Sequence, residues 1–160
     1  MKLLGNIVWF LLGGWLLFIF YALGAVIFFP MFVPLFRLAI YSAWPFGKTA
    51  VSKSLIEQYR ETTGKTIEVS TTETVLKKTS SLLNVLWLIT FGWVLALLHL
   101  LSSFANLLVF WLIVTIPNIA GHWKLIGTAF MPFNKVIVPS GLAEKMRLAL
   151  AEKKHNLGSE

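Results

Sequence analysis

Two long segments of this chain contain no charged residue, and they limit its possible folds more than any other feature. They run from Leu3 to Phe36 and from Thr79 to Trp123. A membrane-spanning helix needs about 20 consecutive apolar residues, and both segments are much longer. A core helix of a small soluble domain is apolar on one face only. The pattern therefore predicts an integral membrane protein.

The composition agrees with this prediction. Hydrophobic residues make up 57% of the chain and charged residues 13%, whereas a soluble domain carries about 25% charged residues. The first segment is too long for a signal peptide, whose apolar core spans roughly 7–15 residues. Since its pattern recurs later in the chain, we expect it to remain in the mature protein.

One pattern of residues occurs twice. Its early part contributes four pairs at an offset of 78: Asn6 with Asn84, Trp9 with Trp87, Gly14 with Gly92, and Trp15 with Trp93. Its later part contributes seven pairs at an offset of 87: Pro30 with Pro117, Arg37 with Lys124, Leu38 with Leu125, Pro45 with Pro132, Phe46 with Phe133, Lys48 with Lys135, and Val51 with Val138. Matches at only two offsets predict a tandem repeat.

The repeat divides the chain into four parts. We expect membrane repeats at residues 3–51 and 82–139, a cytoplasmic linker at residues 52–81 and a cytoplasmic amphipathic tail at residues 140–160. The predicted fold is an all-α membrane protein of two tandem hydrophobic helical hairpins. Each hairpin is expected to be followed by an interfacial amphipathic helix, over Met31–Trp44 or Asn118–Met131.

The two hairpins differ in the chain length available to them. In the second repeat, Leu101-Ser102-Ser103 separates two apolar stretches, so we expect a turn there. In the first repeat, too few residues separate Asn6 from Pro30 for two spans of about 20 residues each. Three alternatives remain open: a short re-entrant hairpin, a return limb that uses residues beyond Pro30, or one span followed by an interfacial helix.

The basic residues predict the orientation in the membrane. Lys2 precedes the first apolar segment, and two further groups follow the apolar segments: Lys48, Lys53, Arg60, Lys65, Lys77 and Lys78, then Lys124, Lys135, Lys145, Arg147, Lys153 and Lys154. By the positive-inside rule these regions face the cytoplasm. We expect a multi-pass protein with both termini in the cytoplasm. These residues beside the apolar segments supply most of the positive charge behind the net charge of +7, so we do not expect nucleic-acid binding.

The polar segments contain two predicted helices. Ser54 and Glu57 form a capping-box pattern at the start of a helix over Leu55–Thr62, and Gly64 is expected to end it. Alternation of apolar and polar residues at Ile67 and Val69 is typical of a short strand.

The tail is expected to form a basic amphipathic helix over Gly141–Lys154, with Ser140 as its cap. Leu142, Met146 and Leu150 recur on one face of this helix. We expect the helix to lie on the inner leaflet or to dock on a partner.

Repeated residues within the apolar segments are candidates for packing between the repeats: Asn6, Trp9, Gly14, Trp15, Asn84, Trp87, Gly92 and Trp93. The asparagines are expected to satisfy backbone groups or to hydrogen-bond between repeats, with contact to a solute as the alternative. Gly13, Gly14 and Gly92 are expected to allow close helix contact. Both repeats start on the same side, so we expect Gly14 and Gly92 to be neighbours across a pseudo-symmetry axis along the membrane normal.

Arg37 and Lys124 are single cations at equivalent positions in helix-like stretches. We interpret them as interfacial side chains that extend to lipid headgroups. The alternative is a functional cation that lines a pore or contacts an anion such as phosphate.

Catalytic patterns are absent from the sequence. His99, His122 and His155 lack metal-ligand spacing, and neither apolar segment contains a carboxylate. The absence of cysteine excludes disulfides and thiolate chemistry. We therefore expect no enzyme activity, no cofactor and no metal. His99 and Asn106 flank the expected far turn, and we interpret His99 as an interfacial residue rather than a proton sensor.

The repeated motif also resembles a known family. Asn-x-x-Trp followed by Gly-Trp, at Asn6 and again at Asn84, is similar to the opening of the YccF domain, a bacterial inner-membrane family. Trp44-Pro45-Phe46-Gly47 and Ile116-Pro117 with Gly121 are similar to its later parts. The resemblance covers residues 5–51 and 82–138, and a tandem pair of domains is typical of the family. It implies a bacterial inner-membrane location and no established activity.

Three functions remain open at this point. The first is a non-enzymatic accessory or scaffold subunit, in contact with the lipid bilayer, that self-associates as a homo-oligomer or packs on a transporter or another membrane protein. The second is an oligomeric channel or small-solute or anion transport protein. The third is a lipid-organising hairpin protein. The small size and the uncharged apolar segments favour the first.

Overall fold

The computed structural model describes residues 2–67 and 80–157. The first half consists of α1 (Lys2–Trp9), a π-helical segment (Phe10–Gly14), α2 (Trp15–Ile27), a 3-10 turn (Phe29–Met31), α3 (Phe32–Ala43), β1 (Lys48–Ser52) and α4 (Lys53–Thr63). The second half repeats this order with α5 (Ser80–Trp87), a π-helical segment (Leu88–Gly92), α6 (Trp93–Leu108), a 3-10 turn (Ile113–Thr115), α7 (Ile116–Phe130), β2 (Lys135–Pro139) and α8 (Ser140–Leu157).

Each half begins with one long apolar helix that runs through its π-helical segment. By length and composition, the helices Lys2–Ile27 and Ser81–Leu108 are able to cross a membrane. The predicted class, an all-α membrane protein, is confirmed. Within residues 2–67 and 80–157, the helices are accompanied by one short two-stranded ribbon.

The two π-helical segments occupy equivalent positions in the halves. In the first, Gly13 has a φ of 134°, which an L side chain rarely adopts. At the end of each segment, a glycine lies against the indole ring one turn earlier. A Cβ on Gly14 would lie 2.4 Å from the Trp9 ring, and one on Gly92 would lie 2.8 Å from the Trp87 ring. Each glycine therefore allows a tryptophan to fold along its own helix.

The chain turns later than its apolar pattern predicts. The helix α6 continues through Leu101-Ser102-Ser103 to Leu108, and the turn lies at Val109–Leu112. The predicted turn at Leu101-Ser102-Ser103 is wrong, because neither glycine nor proline interrupts the helix there and the serines are tolerated within it. In the first half, the return helix α3 begins beyond Pro30 and packs along α2.

The stretches Met31–Trp44 and Asn118–Met131 are largely helical, as predicted. They correspond to α3 and α7, which pack along α2 and α6. Leu35 in α3 and Leu125 in α7 are buried in the shared core. In each half, one helix follows the turn, whereas for the second half the sequence predicted a return limb and an additional helix.

The strands β1 and β2 form an antiparallel ribbon that joins the two halves. Ala50 lies opposite Ile137, its counterpart at the offset of 87, and Val51 lies opposite Val136. An antiparallel pair centred on two equivalent residues has a local two-fold axis between them. The ribbon was not predicted, because each strand is only five residues long and shows little alternation of polarity.

A second apolar core lies between the ribbon, α4 and α8. Its buried residues are Val51, Ile56, Tyr59, Val136, Val138, Ala143 and Met146. The predicted apolar face of the tail helix takes part in this core, since Met146 is fully buried and Leu142 packs beside it. The chain itself thus covers this face, where the sequence suggested the inner leaflet or a partner.

The linker helix differs from its prediction at its start and agrees at its end. Ser52, rather than the predicted Ser54, caps α4 by accepting a hydrogen bond from the backbone N–H of Leu55. Gly64 ends the helix in a left-handed conformation. The predicted strand at Ile67 and Val69 cannot be compared, since Val69 lies outside the described residues.

Candidate functional site

Buried asparagines fix the end of each return helix to the start of its long helix. The Asn6 side chain donates to the Phe46 carbonyl oxygen at 3.0 Å and accepts from the Phe46 N–H at 2.9 Å. In the second half, Asn84 accepts from the Phe133 N–H at 3.1 Å. Both side chains satisfy backbone groups, which is one of the roles that the sequence predicted, and both do so within their own half.

Tryptophans add a second connection one turn further along. The indole N–H of Trp9 donates to the Ser42 carbonyl at 2.7 Å, and that of Trp87 donates to the Ala129 carbonyl at 2.8 Å. These carbonyls belong to the last turns of α3 and α7, where no intrahelical donor remains. Asparagine and tryptophan therefore act as side-chain caps for the return helices.

The tryptophan rings also fill the contact between the halves. A Cβ on Gly121 would lie 2.6 Å from the Trp9 ring, and one on Gly24 would lie 2.8 Å from the Trp87 ring. Gly24 and Gly121 are thus the close-packing glycines between the halves, and the sequence analysis did not single out either for this role. The predicted glycines, Gly14 and Gly92, each accommodate the tryptophan of their own helix, and an added Cβ on Gly92 would also lie 3.1 Å from the Ala129 carbonyl oxygen of α7.

Trp15 and Trp93 occupy a different environment from Trp9 and Trp87. Their side chains are 46% and 52% exposed. The structure does not place them in the packing between the halves, although the sequence grouped all four tryptophans together. They face outward at equivalent positions of the two long helices.

The two predicted cations also have different surroundings. The Lys124 ammonium donates to the carbonyl oxygens of Pro45, at 3.1 Å, and of Lys48, and lies 5.6 Å from the centre of the Tyr41 ring. It therefore links the second half to the turn that ends the first. Arg37 is exposed and lines an open cleft beside the ribbon. Contact of either residue with headgroups or anions stays a prediction.

A hydrogen-bonded chain of three side chains lies at the centre of the bundle. The Tyr21 hydroxyl is 3.4 Å from His99 Nε2, and His99 Nδ1 is 3.1 Å from His122 Nδ1. All three residues are buried. His99 is fully enclosed, so its interpretation as an interfacial residue is wrong.

The Nδ1–Nδ1 contact restricts the protonation of the two histidines. It requires one nitrogen with a hydrogen and one with a free lone pair. If the Tyr21 hydroxyl donates to His99 Nε2, then His99 Nδ1 donates to His122 Nδ1. If His122 Nδ1 donates to His99 Nδ1 instead, then His99 Nε2 donates to the Tyr21 hydroxyl oxygen. Both arrangements are neutral, so the chain carries two tautomeric states without a buried charge.

These histidines belong to a longer row of polar side chains between α6 and α7, which we call the polar seam. The seam comprises His99, Ser103, Asn106, Thr115, Asn118 and His122. The Asn118 side chain donates to the side-chain oxygen Oδ1 of Asn106 at 3.4 Å, and the Thr115 hydroxyl donates to backbone carbonyls of the turn. At the positions of Ser103, Asn118 and His122, the first half has Ala25, Met31 and Leu35. The polar seam is therefore a property of the second half.

The misplaced turn explains why the sequence analysis missed the histidine pair. With the observed turn at Val109–Leu112, His99 and His122 each lie ten residues from its nearer end, on opposite limbs of one hairpin. Residues equally far from the turn on the two limbs of a hairpin lie beside each other. Within the described ranges, no group of three or more histidine, cysteine or carboxylate side chains is arranged to hold a metal ion.

The tryptophan contacts lead to a matched test. We expect Trp9→Phe and Trp87→Phe each to lower the free energy of unfolding by about 1–3 kcal/mol, because a buried helix-end carbonyl loses its donor. The exposed controls Trp15→Phe and Trp93→Phe should change it by less than about 0.5 kcal/mol. Unfolding in mixed micelles measures all four variants. Equal losses in the buried and exposed pairs would contradict the capping role.

Comparison with known proteins agrees with the repeated architecture. The YccF family model, described as an inner membrane component domain, matches residues 4–48 and 82–135. The chain is 27% identical to "Inner membrane protein YccF" of Escherichia coli (strain K12) and to the protein of the same name from Shigella flexneri. Each alignment covers 96% of this chain and 99% of the relative. No solved structure matches the chain. The chain belongs to the YccF family of inner membrane proteins.

Proposed function

We propose that this protein is a non-enzymatic accessory or scaffold subunit of the inner membrane that associates with itself or with another membrane protein, such as a transporter. The observation that carries the proposal is the outward surface of the long helices. Only 28% of the most apolar window of either long helix is buried within the chain. A core helix of a soluble protein is mostly buried, so this surface is suited to lipid or to other membrane helices.

The outward surface is continuous with the far turns of both halves. Large apolar side chains that are at least 65% exposed occur along its whole length: Leu3, Leu4, Leu11, Ile27, Phe29, Leu82, Ile89, Trp111 and Ile113. Among the polar side chains of the second long helix, His99 and Asn84 turn inward and find partners. This distribution favours embedding in a bilayer.

The interior of the chain supports a structural role over a pore in a single copy. Aromatic rings fill the contact between the halves, where Trp9 and Trp87 pack on glycines of the opposite half. The buried hydrogen bonds join side chains to helix ends and to each other. A transport path would therefore need either several copies or the polar seam.

The proposed topology has two hairpins with both termini in the cytoplasm. The hydrogen bonds of Asn6 to Phe46 and of Asn84 to Phe133 bring the start and the end of each half to one level. The ribbon, α4 and α8 lie at that level and carry most of the basic residues. The positive-inside rule assigns this end to the cytoplasm.

The topology can be tested with single cysteines, because the chain has none of its own. We expect Phe29→Cys and Ile113→Cys, at the far turns, to react with a membrane-impermeant maleimide added to cells with a permeabilised outer membrane. Glu61→Cys and Glu152→Cys should react only after lysis, since they lie at the basic end. Labelling of the cysteine at position 61 from outside would favour a single span followed by an interfacial helix.

The proposed association with another copy or another membrane protein is tested by the mass of the complex. We expect native mass spectrometry from nanodiscs, without overexpression of any other protein, to show a complex larger than one chain. Trp15→Ala and Trp93→Ala should weaken the complex, because these rings face outward at equivalent positions. Phe29→Ala, at a far turn, is the matched control. A monomer with no co-purifying protein would contradict the accessory role.

The polar seam favours one alternative, a path for water or a small polar solute. The first half builds the same helix pair with Ala25, Met31 and Leu35, so the fold does not require polar groups at these positions. Buried polar groups between helices are costly unless they are paired, and nonpolar replacements are often neutral. The lipid-organising alternative loses its main support, because the tail helix packs within the chain.

Equivalent cysteines distinguish a hydrated seam from a packed one. Ser103→Cys and Ala25→Cys lie at matching positions and replace residues that are 4% and 0% exposed. If the seam admits water, a small neutral methanethiosulfonate should modify the cysteine at position 103 at least about tenfold faster than the one at position 25, because thiolates form only where water reaches them. Equal rates would identify the seam as interhelical hydrogen bonding alone.

A further inference from the structure

The polar seam leads from the far turn of the second half to the centre of the bundle. Its residues lie on facing sides of one helix pair, at intervals of three and four residues: His99, Ser103 and Asn106 on α6, and Thr115, Asn118 and His122 on α7 and its N-terminal cap. Asn106 is half-buried near the turn, and His99 lies about 10 Å further along α6. The seam therefore has an outer end at the far turn and an inner end at the two histidines.

Apolar side chains separate the two histidines from the basic end of the bundle. Leu95 lies one turn before His99, Leu125 lies one turn after His122, and both leucines are fully buried. The Trp9 ring packs on His122 from α1 and is buried as well. We therefore expect water and protons to reach the histidines from the far turn, through the seam.

We propose that His122 binds a proton that arrives through the polar seam, and that this proton fixes the direction of the Tyr21–His99–His122 chain. When His122 Nδ1 donates to His99 Nδ1, the lone pair on His122 Nε2 is not used by the chain. A proton added there turns His122 into an imidazolium, and no hydrogen bond of the chain breaks. In the opposite arrangement, His99 Nε2 and His122 Nδ1 both accept hydrogen bonds and His122 Nε2 carries a hydrogen, so neither ring has a free lone pair.

The surroundings of the two rings favour a positive charge on His122. The Trp9 and His122 ring centres are 4.5 Å apart, and the face of an indole attracts a cation. The Tyr21 ring is farther from His99, at 6.2 Å. The hydrogen between the two Nδ1 atoms is able to pass from one ring to the other, so Trp9 draws the charge to His122.

The charges near the two histidines determine the direction of the pH response. Tyr21 on α2 is the titratable group in contact with the pair, and it is neutral in both arrangements. The other titratable residues of the helices packed around the pair lie nearer the basic end: Lys2, Arg37, Tyr41 and Lys124. Neither charge-free segment contains a carboxylate, so a proton on His122 has no counter-charge from these helices. We therefore expect uptake on acidification and release as the pH rises.

Proton binding is tested by solid-state NMR of the unmodified chain in liposomes, with ¹⁵N-labelled histidine, because the chain has only three histidines. On acidification we expect both nitrogens of His122 to carry hydrogen, while His99 stays neutral with its hydrogen on Nε2. His155 is exposed near the end of α8 and supplies the signal of a histidine in water. The variant His122→Leu assigns the signal, since the first half has Leu35 at that position. A neutral His122 wherever the protein stays folded, or a charge on His99 instead, would contradict the proposal.

The route is tested by the rate of uptake after an acid jump in nanodiscs, followed by Trp9 fluorescence, which an adjacent imidazolium quenches. The fluorescence change should be lost in His122→Leu. Ser103→Leu should slow it at least about tenfold, because an apolar side chain then blocks the seam and raises the barrier to proton entry. Ala25→Leu, at the equivalent buried position of the first half, is the matched control. An unchanged rate in Ser103→Leu, or equal slowing in both variants, would overturn the proposed route.

The inference deepens the alternative of a hydrated seam and is independent of association with a partner. The two fail in different ways. Fast modification of a cysteine at position 103, together with a neutral His122 in acid, would support a hydrated seam and overturn the proton site. Slow modification, together with a charged His122 in acid, would support the proton site and overturn hydration of the seam.

Discussion

Side-chain hydrogen bonds to the ends of the return helices hold this structure together. The last carbonyls of α3 and α7 lack partners within their helices, and an apolar environment supplies none. Trp9 and Trp87 provide the missing donors, while Asn6 and Asn84 hold the backbone of the following Phe46 and Phe133. The rest of each half is arranged around these contacts, because they set how far the return helix travels along the long helix.

The same contacts explain why the repeat has two offsets. Asparagine and tryptophan come from the start of each half, and the carbonyls they contact come from its end. The nine extra residues of the second half lie between the two parts, where they lengthen α6 and the far turn without changing the contacts. The asparagine, tryptophan and phenylalanine that make these contacts are therefore the same residue types in both halves, whereas the far turns differ between the halves.

The halves meet near an approximate two-fold axis, and they are not chemically equivalent there. Two pairs of equivalent residues face each other: Ala50 with Ile137 in the ribbon, and Tyr21 with His99 between the long helices. The first half uses apolar side chains between its helices, and the second uses hydrogen-bonded polar ones. Both halves contain the same pair of packed helices. The first half forms this pair with apolar residues, so the polar residues between the helices of the second half are not needed for the fold.

The sequence by itself determined the membrane class, the repeat and where each half begins, because charge-free length and matched motifs are local properties. It placed the return helices approximately and the far turn incorrectly, since apolar residues continue through turn and helix alike. Only the tertiary structure decided that His99 meets His122, that Gly24 and Gly121 receive the tryptophan rings, and that the tail helix packs on the ribbon. Each of these contacts joins residues from different elements, and their partners depend on where the chain turns, which hydrophobicity alone does not specify.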